Sequence, residues 1–327
     1  VLGILVVAQL LADGPELLAQ VDLALVFVEA VAHFGADATR DLQDGGLVRQ
    51  RRDHLPLLRA CILCLIHEDV VEPAVELARK ARESGHFASQ DLQLFGRTSD
   101  PIPDELFEQT RRPDPAVLMS VSHGAGAPRG GWKSADAQRE GQGAMCFGRE
   151  GKLPADEFRD TPFLPMGFWL MFACFGAGTP SDSKFRHWLD YLRRAKAFPG
   201  RPEAVLKSLP VDGARPFISA HAKTCLANPQ GPLAIVGHLD LAWSYSFQDL
   251  DTGKAIKRPA RFLRVLDSVL KGDRYGLSTR ELYQASGQAN QQLIDSYDQQ
   301  QKARVEGSPH KVNQAARGHL WMMRQDM

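Results

Sequence analysis

Short, unbroken apolar runs alternate along this chain with segments long enough for a helix, and that alternation constrains the fold more than any other feature. The runs are LLRACILCLI (57–66), LQLFG (92–96), AVLMSVSH (116–123), GFWLMFAC (167–174), RPFISA (215–220) and GPLAIVG (231–237). A strand with one face in water alternates apolar and polar residues, whereas a strand buried on both faces reads as continuous apolar sequence. Between the runs, residues 70–86 and 102–110 carry helical spacing, and in 182–198 Phe185, Trp188, Leu189 and Leu192 share one side. Strands separated by helix-length crossovers predict an α/β fold, a mostly parallel sheet with helices on both faces.

The flanks read differently. Residues 1–35 keep an apolar face at helical spacing, and 36–53 are polar and glycine-containing, as a linker would be. The opening VLGILVVAQLL has no preceding basic residue and runs soon into Asp13, so it is expected to be a buried element rather than a signal peptide. From Arg258 onward the pattern is helical. Three parts follow: a helical N-terminal extension and linker over 1–56, an α/β core over 57–257, and a helical C-terminal extension over 258–327.

Composition removes several function classes. Lys+Arg and Asp+Glu are equal at 39 each, and the cations Arg194, Lys196, Lys254, Lys257 and Arg258 are scattered, so neither nucleic acid nor an anionic membrane surface is an expected partner. No apolar run reaches the roughly 18–20 residues that a transmembrane helix needs. The five cysteines are widely spaced rather than arranged as a disulfide framework, which points to a reducing cytoplasm.

Two of the runs end in reactive residues. One gives V-S-H-G-A-G, with His123 and Gly124 just past its end; another gives F-A-C-F-G-A-G, with Cys174 in the same kind of position. In open parallel sheets the functional crevice lies beyond the carboxyl ends of the strands. If these two strands are neighbours, His123 and Cys174 meet there. A thiol of ordinary pKa is only a few per cent thiolate at neutral pH and needs an imidazole to take its proton and later to protonate a leaving amine. Gly124 lets a carbonyl approach its bare N–H, which with the amide of Cys174 forms a candidate oxyanion hole. Each such donor is worth about 2.7–4 kcal/mol.

The Ala-Cys-x-Gly core with a histidine 51 residues upstream resembles the caspase-like (clan CD) cysteine peptidases, a group that includes caspases, metacaspases, gingipains, separase and bacterial CHAT domains. The form A-C-F-G-A-G-T-P and the stretch GPLAIVGHLDLAWSYSF look most like the gingipain and CHAT branch, and the resemblance covers roughly residues 57–250. It implies a three-layer caspase-like core and a cysteine endopeptidase acting on protein or peptide substrates, with Cys174 as nucleophile, His123 as base and no cofactor. Phe172 and Phe175 depart from the caspase pattern, which argues against cleavage after Asp. By position, GHLDLAWS would help form the pocket before the scissile bond. Asp240 there would select Arg or Lys through a charge-assisted hydrogen bond, and Trp243 would form a wall. The resemblance also implies restraint, through cleavage, a regulatory partner or a sensor domain. The N-terminal helices and the long 124–152 loop are the expected restraining elements. The alternative function is a silent caspase-like adaptor whose crevice binds a peptide without cutting it.

Other motifs read more plainly. Cys61 and Cys64 form a lone CxxC inside an apolar run and read as core. GAPRGGWKS lacks the glycine directly before lysine that a phosphate-binding loop requires, because Trp132 intervenes. The glycine-rich, charged segment from 124 to 152 reads as a mobile loop over the crevice rather than as core. No recognised metal-ligand spacing joins His221, His238 and Asp240, so no metal is expected.

Overall fold

The computed structural model describes residues 4–8, 59–64, 83, 92–96, 102–128, 131–147, 151–196, 202–210, 215–243, 247–251, 254–258, 260–270, 273–309 and 311–326. Residues 1–8 and 58–327 group as one compact unit. Residues 9–57, grouped apart from it, lie outside the described residues, as do the linker expected over 36–53 and nearly all of the helix expected over 70–86.

Six strands form the main sheet: β1 (Ile4–Ala8), β2 (Arg59–Cys64), β3 (Leu92–Gly96), β4 (Ala116–Val121), β5 (Phe168–Phe172) and β6 (Ala234–His238). Their order across the sheet is β1-β6-β5-β4-β2-β3. All neighbours pair in parallel except β1, which runs antiparallel to β6 at the edge. Every residue of β4, β5 and β6 is buried, which is why these segments are continuous apolar runs.

Both faces are covered. On one lie α1 (Ile102–Thr110), a 3-10 turn at Ala155–Phe158 and, further on, the helix Ala220–Ala227; their Leu106, Phe107, Phe158, Ala222 and Cys225 pack with Leu118, Trp169, Met171 and Ile235 of the sheet. Trp169 is fully buried, and its indole N–H donates to the Ser120 hydroxyl on β4 at 2.8 Å, so the largest side chain of the core leaves no orphaned donor. On the other face, the helix Ala260–Leu270 brings Phe262 against Phe172 and Phe247, and Tyr275 stacks on Phe168 with centroids 4.6 Å apart. The structure is therefore an α/β fold, a largely parallel sheet flanked by helices. Among the described residues no helix is long and apolar enough to cross a membrane.

Several expectations change. The helix expected over 1–35 begins as strand β1: Ile4, Val6 and Val7 are β-branched and suit the pleated edge beside β6. RPFISA contributes only Phe217–Ile218, paired with Gly178–Thr179 outside the main sheet. The cause is Ser219, whose hydroxyl accepts from Ala222 N–H at 3.2 Å and caps the next helix, while its own proton goes to the Gly176 carbonyl at 2.6 Å. The segment after Gly124 is built into the body of the fold. It holds α2 (Ala135–Gly141), capped by Ser134, and then returns antiparallel to His123–Gly124 through Met145–Cys146. Met145, Phe147 and Leu153 from this segment are core residues. The remaining helices, in chain order, are α3 (Phe185–Arg194), α4 (Pro202–Ser208), α5 (Ala220–Ala227), α6 (Ala260–Leu270), α7 (Tyr275–Ser278), α8 (Arg280–Val305) and α9 (Gln314–Asp326). Those after residue 258 are helical as expected and belong to the same compact unit as the sheet, because α6 supplies one of its covering layers.

One core residue gives the fold an acid limit. His221 on α5 is buried, T-shaped against Phe158, with Nε2 bonded to the Leu153 carbonyl at 2.8 Å; Nδ1 has no hydrogen-bond partner among the described residues. Burial lowers its pKa from 6.5 to about 4. The folded state holds the neutral ring, so this contribution is complete above pH 6.5 and is lost as pH falls toward 4. Urea denaturation across that range should show about 3 kcal/mol of stability disappearing, and His221→Gln, which does not titrate, should flatten the curve by a similar amount. Parallel curves for the two proteins would refute the assignment.

Candidate active site

β4 and β5 pair in register to Val121↔Phe172, and Ser122 N–H extends the ladder to the Phe172 carbonyl at 3.0 Å. The two chains then leave the sheet at the same level. His123 is exposed and begins the short hairpin with Cys146; Cys174 ends its run two residues beyond β5. Sequence order reverses across the sheet next to β4, since β3 lies on one side of β2 and β4, β5 and β6 on the other. Open α/β sheets form their crevice at such a reversal, which here falls between β2 and β4, one strand over from the β4–β5 pair.

The strand ends meet through main chain. A Cβ built on Gly124 would stand 1.8 Å from the Cys174 carbonyl oxygen and 3.0 Å from its amide nitrogen, so only glycine allows the approach. Among the described residues the Cys174 N–H donates to no main-chain carbonyl. Phe175 follows with φ of 57°, a left-handed conformation that costs a β-carbon-bearing residue about 1–2 kcal/mol. It is fixed by burial of its ring among Phe185, Leu189 and Leu192, and by a 2.7 Å hydrogen bond from its N–H to the Asp240 carbonyl. Gly176 N–H closes the turn onto the Ala173 carbonyl at 3.1 Å. This turn directs the chain away immediately after the cysteine.

The thiol itself is engaged. Ala242 N–H donates to Sγ at 3.3 Å and the Ala242 carbonyl accepts from it at 3.6 Å; neither bond involves His123. Burial of the thiol, with a smaller push from the Asp326 and Asp240 carboxylates, raises its pKa from 9.0 to about 11, against a lowering by the Ala242 N–H. At neutral pH such a thiol is ionised about once in ten thousand molecules.

Asp240 is buried, and both of its oxygens are occupied. Ser183 Oγ donates at 2.9 Å, Lys184 N–H at 3.1 Å and Leu241 N–H at 2.8 Å. Burial raises its pKa to about 6, opposed by these three bonds. As placed, the carboxylate ties the start of α3 to the segment after β6. Trp243 packs against the same apolar cluster as Cys174, its ring centroid 6.3 Å from that of Phe185.

Three further residues near these strand ends make contacts that their place in the sequence does not assign. Ala242 contacts the thiol only through its peptide. His238, at the end of β6, lies edge-on to Phe172 and donates from Nε2 to the main-chain carbonyl of Asp326 at 2.8 Å. Asp326, on α9, is fully buried and accepts the Trp243 N–H at 2.6 Å. Helical spacing predicts α9, but nothing local in the sequence predicts where its last turn docks. Among the described residues no group of three or more His, Cys, Asp or Glu side chains is placed to hold a metal ion.

The Gly124–Cys174 approach is testable apart from chemistry. Gly124→Ala should cost about 1–3 kcal/mol in urea denaturation, the usual scale of an overpacked site, because the obstacle is backbone. Gly126→Ala, which meets nothing within 4 Å, should stay within about 0.5 kcal/mol of the parent. Equal effects would mean that the close approach does not exist. In comparisons with known proteins, no family model matches this chain, and neither does any curated protein or solved structure.

Proposed function

We propose that the chain is a cysteine endopeptidase of caspase-like type, its sheet and two helical layers corresponding to that three-layer fold. The observation that carries this reading is the close approach of Gly124 to the main chain of Cys174, at the ends of adjacent parallel strands. In the reaction, His123 takes the Cys174 proton and the thiolate adds to the scissile carbonyl. The amides of Gly124 and Cys174 hold the oxyanion. His123 then protonates the leaving amine, and water, deprotonated by the same imidazole, releases the acyl group from sulfur.

The substrate is a protein or peptide lying along the crevice beside Trp243. Selection of Arg or Lys by Asp240 requires the carboxylate to exchange at least one of its three internal donors for the substrate's cation. A cytoplasmic setting suits a chemistry that needs a reduced thiol, and Cys146, Cys174 and Cys225 are free. A regulatory partner or sensor domain belongs to the same proposal.

One observation favours a second reading. The thiol is bonded on both sides to Ala242, which is what a silent caspase-like module that binds a peptide without cutting it would tolerate.

A mixed peptide library incubated with the parent protein and with Cys174→Ala, with products sequenced by mass spectrometry, separates the two. Cuts made only by the parent are the expected result, and Arg or Lys before the bond supports the role of Asp240. Asp or a small apolar residue there removes that role. No cuts from either protein, together with a Cys174 whose reaction with an electrophile does not depend on His123, would leave the binding module.

A further inference from the structure

We infer that Asp326, at the end of α9, is a latch that holds the Ala242–Trp243 segment over the Cys174 thiol and keeps the crevice closed until α9 moves. This rests on the reading of Cys174 as the working thiol and adds its regulation.

The chain of contacts is short. The Ala242 peptide brackets Sγ with an N–H at 3.3 Å and a carbonyl at 3.6 Å, the two kinds of group that a substrate main chain would offer there. The next N–H along, that of Trp243, donates to Asp326 Oδ1 at 2.6 Å, a short, charge-assisted bond inside the protein. The main-chain carbonyl of the same aspartate takes the His238 Nε2–H at 2.8 Å, and Oδ1 lies 3.4 Å from that nitrogen. Asp326 therefore joins the end of β6 to the segment that follows it five residues later. Neither tie is made by Cys174 or His123, so the latch can be broken without substituting either.

The placement is unfavourable for α9 alone. A carboxylate in the last turn of a helix faces the negative end of the helix dipole, and full burial removes the water that would offset this. The cost is offset by contacts along α9: Trp321 lies 4.6 Å from Trp188 between ring centroids, Met322 is buried among Phe185, Leu189 and Leu192, and Gly318 sits so close to Leu192 that a Cβ would be 2.2 Å away. These contacts hold α9 on α3, and α3 starts at the segment tied by Asp240. Displacing α9 from α3 withdraws the carboxylate from Trp243 and frees the Ala242 peptide to leave the thiol.

The test reads thiol access rather than peptide cleavage. The full chain, Asp326→Ala and Asp326→Asn are alkylated with iodoacetamide near neutral pH, and the rate at each cysteine is followed by mass spectrometry. Asparagine removes the charge that raises the thiol's pKa but keeps an oxygen to accept the Trp243 N–H, so the charge effect appears in both variants and the latch effect only in alanine. The expected result is labelling of Cys174 in Asp326→Ala about tenfold faster than in Asp326→Asn, because loss of the Trp243 tie raises the fraction of molecules in which the Ala242–Trp243 segment stands off the thiol. Cys225, fully buried in the core, reports general loosening and should stay unlabelled in all three. Equal Cys174 rates in the two variants, or Cys174 and Cys225 rising together, would overturn the latch. Fast labelling of Cys174 in Asp326→Ala without any peptide cleavage would keep the latch and count against the peptidase.

Discussion

The parallel pairing of β4 with β5 sets the level at which every other part of the crevice stands. Because Val121 lies opposite Phe172, the two chains leave the sheet side by side, and the first residues beyond its edge, His123-Gly124 and Ala173-Cys174, have to share one small volume. Glycine at 124 makes that sharing sterically allowed. The turn through Phe175 and Gly176 then sends the chain back over the aromatic cluster of α3. A register slip of one residue would turn every side chain of β5 to the opposite face and break both the core and the crevice together.

Around that point the protein places two buried carboxylates and one thiol. Asp240 accepts hydrogen bonds from three donors and organises the first turn of α3. Asp326 reaches in from a helix packed on the same α3. Both charges disfavour a thiolate at Cys174, as does burial. The described geometry is therefore that of a quiet thiol.

Much of this was legible in the amino-acid order. LQLFG and IPDELFEQT become a strand and a helix over the same residues, because apolar content and spacing are local properties. The apolar runs of β4 and β5, and the His-Gly and Cys at their ends, announce themselves for the same reason. ILVVA misleads because the sequence after it continues a helical rhythm, whereas three β-branched residues in five carry the strand preference. PFIS misleads because a serine cap three residues into the run outweighs its apolar character. At the crevice, the side chains were readable and the main chain was not. Ala242 acts on the thiol through its peptide from 68 residues away, and Asp326 acts on the Trp243 amide from 83 residues away. Asp240 illustrates the same limit, since a carboxylate suited to a substrate's cation is equally suited to the N–H groups at a helix start.

Strand β1 carries a consequence in time rather than in space. Ile4 pairs with His238, so β1 leaves the ribosome well before its partner and waits for a strand made about 230 residues later. At the usual pace of synthesis that wait is about ten to fifty seconds. Through it, ILVVA is without its native partner strand, and when β6 does emerge it presents a bare row of N–H and C=O groups until β1 returns to it. Closing that edge is the longest-range pairing in the sheet. Of all its ladders, this is the one that stays open longest as the chain is made.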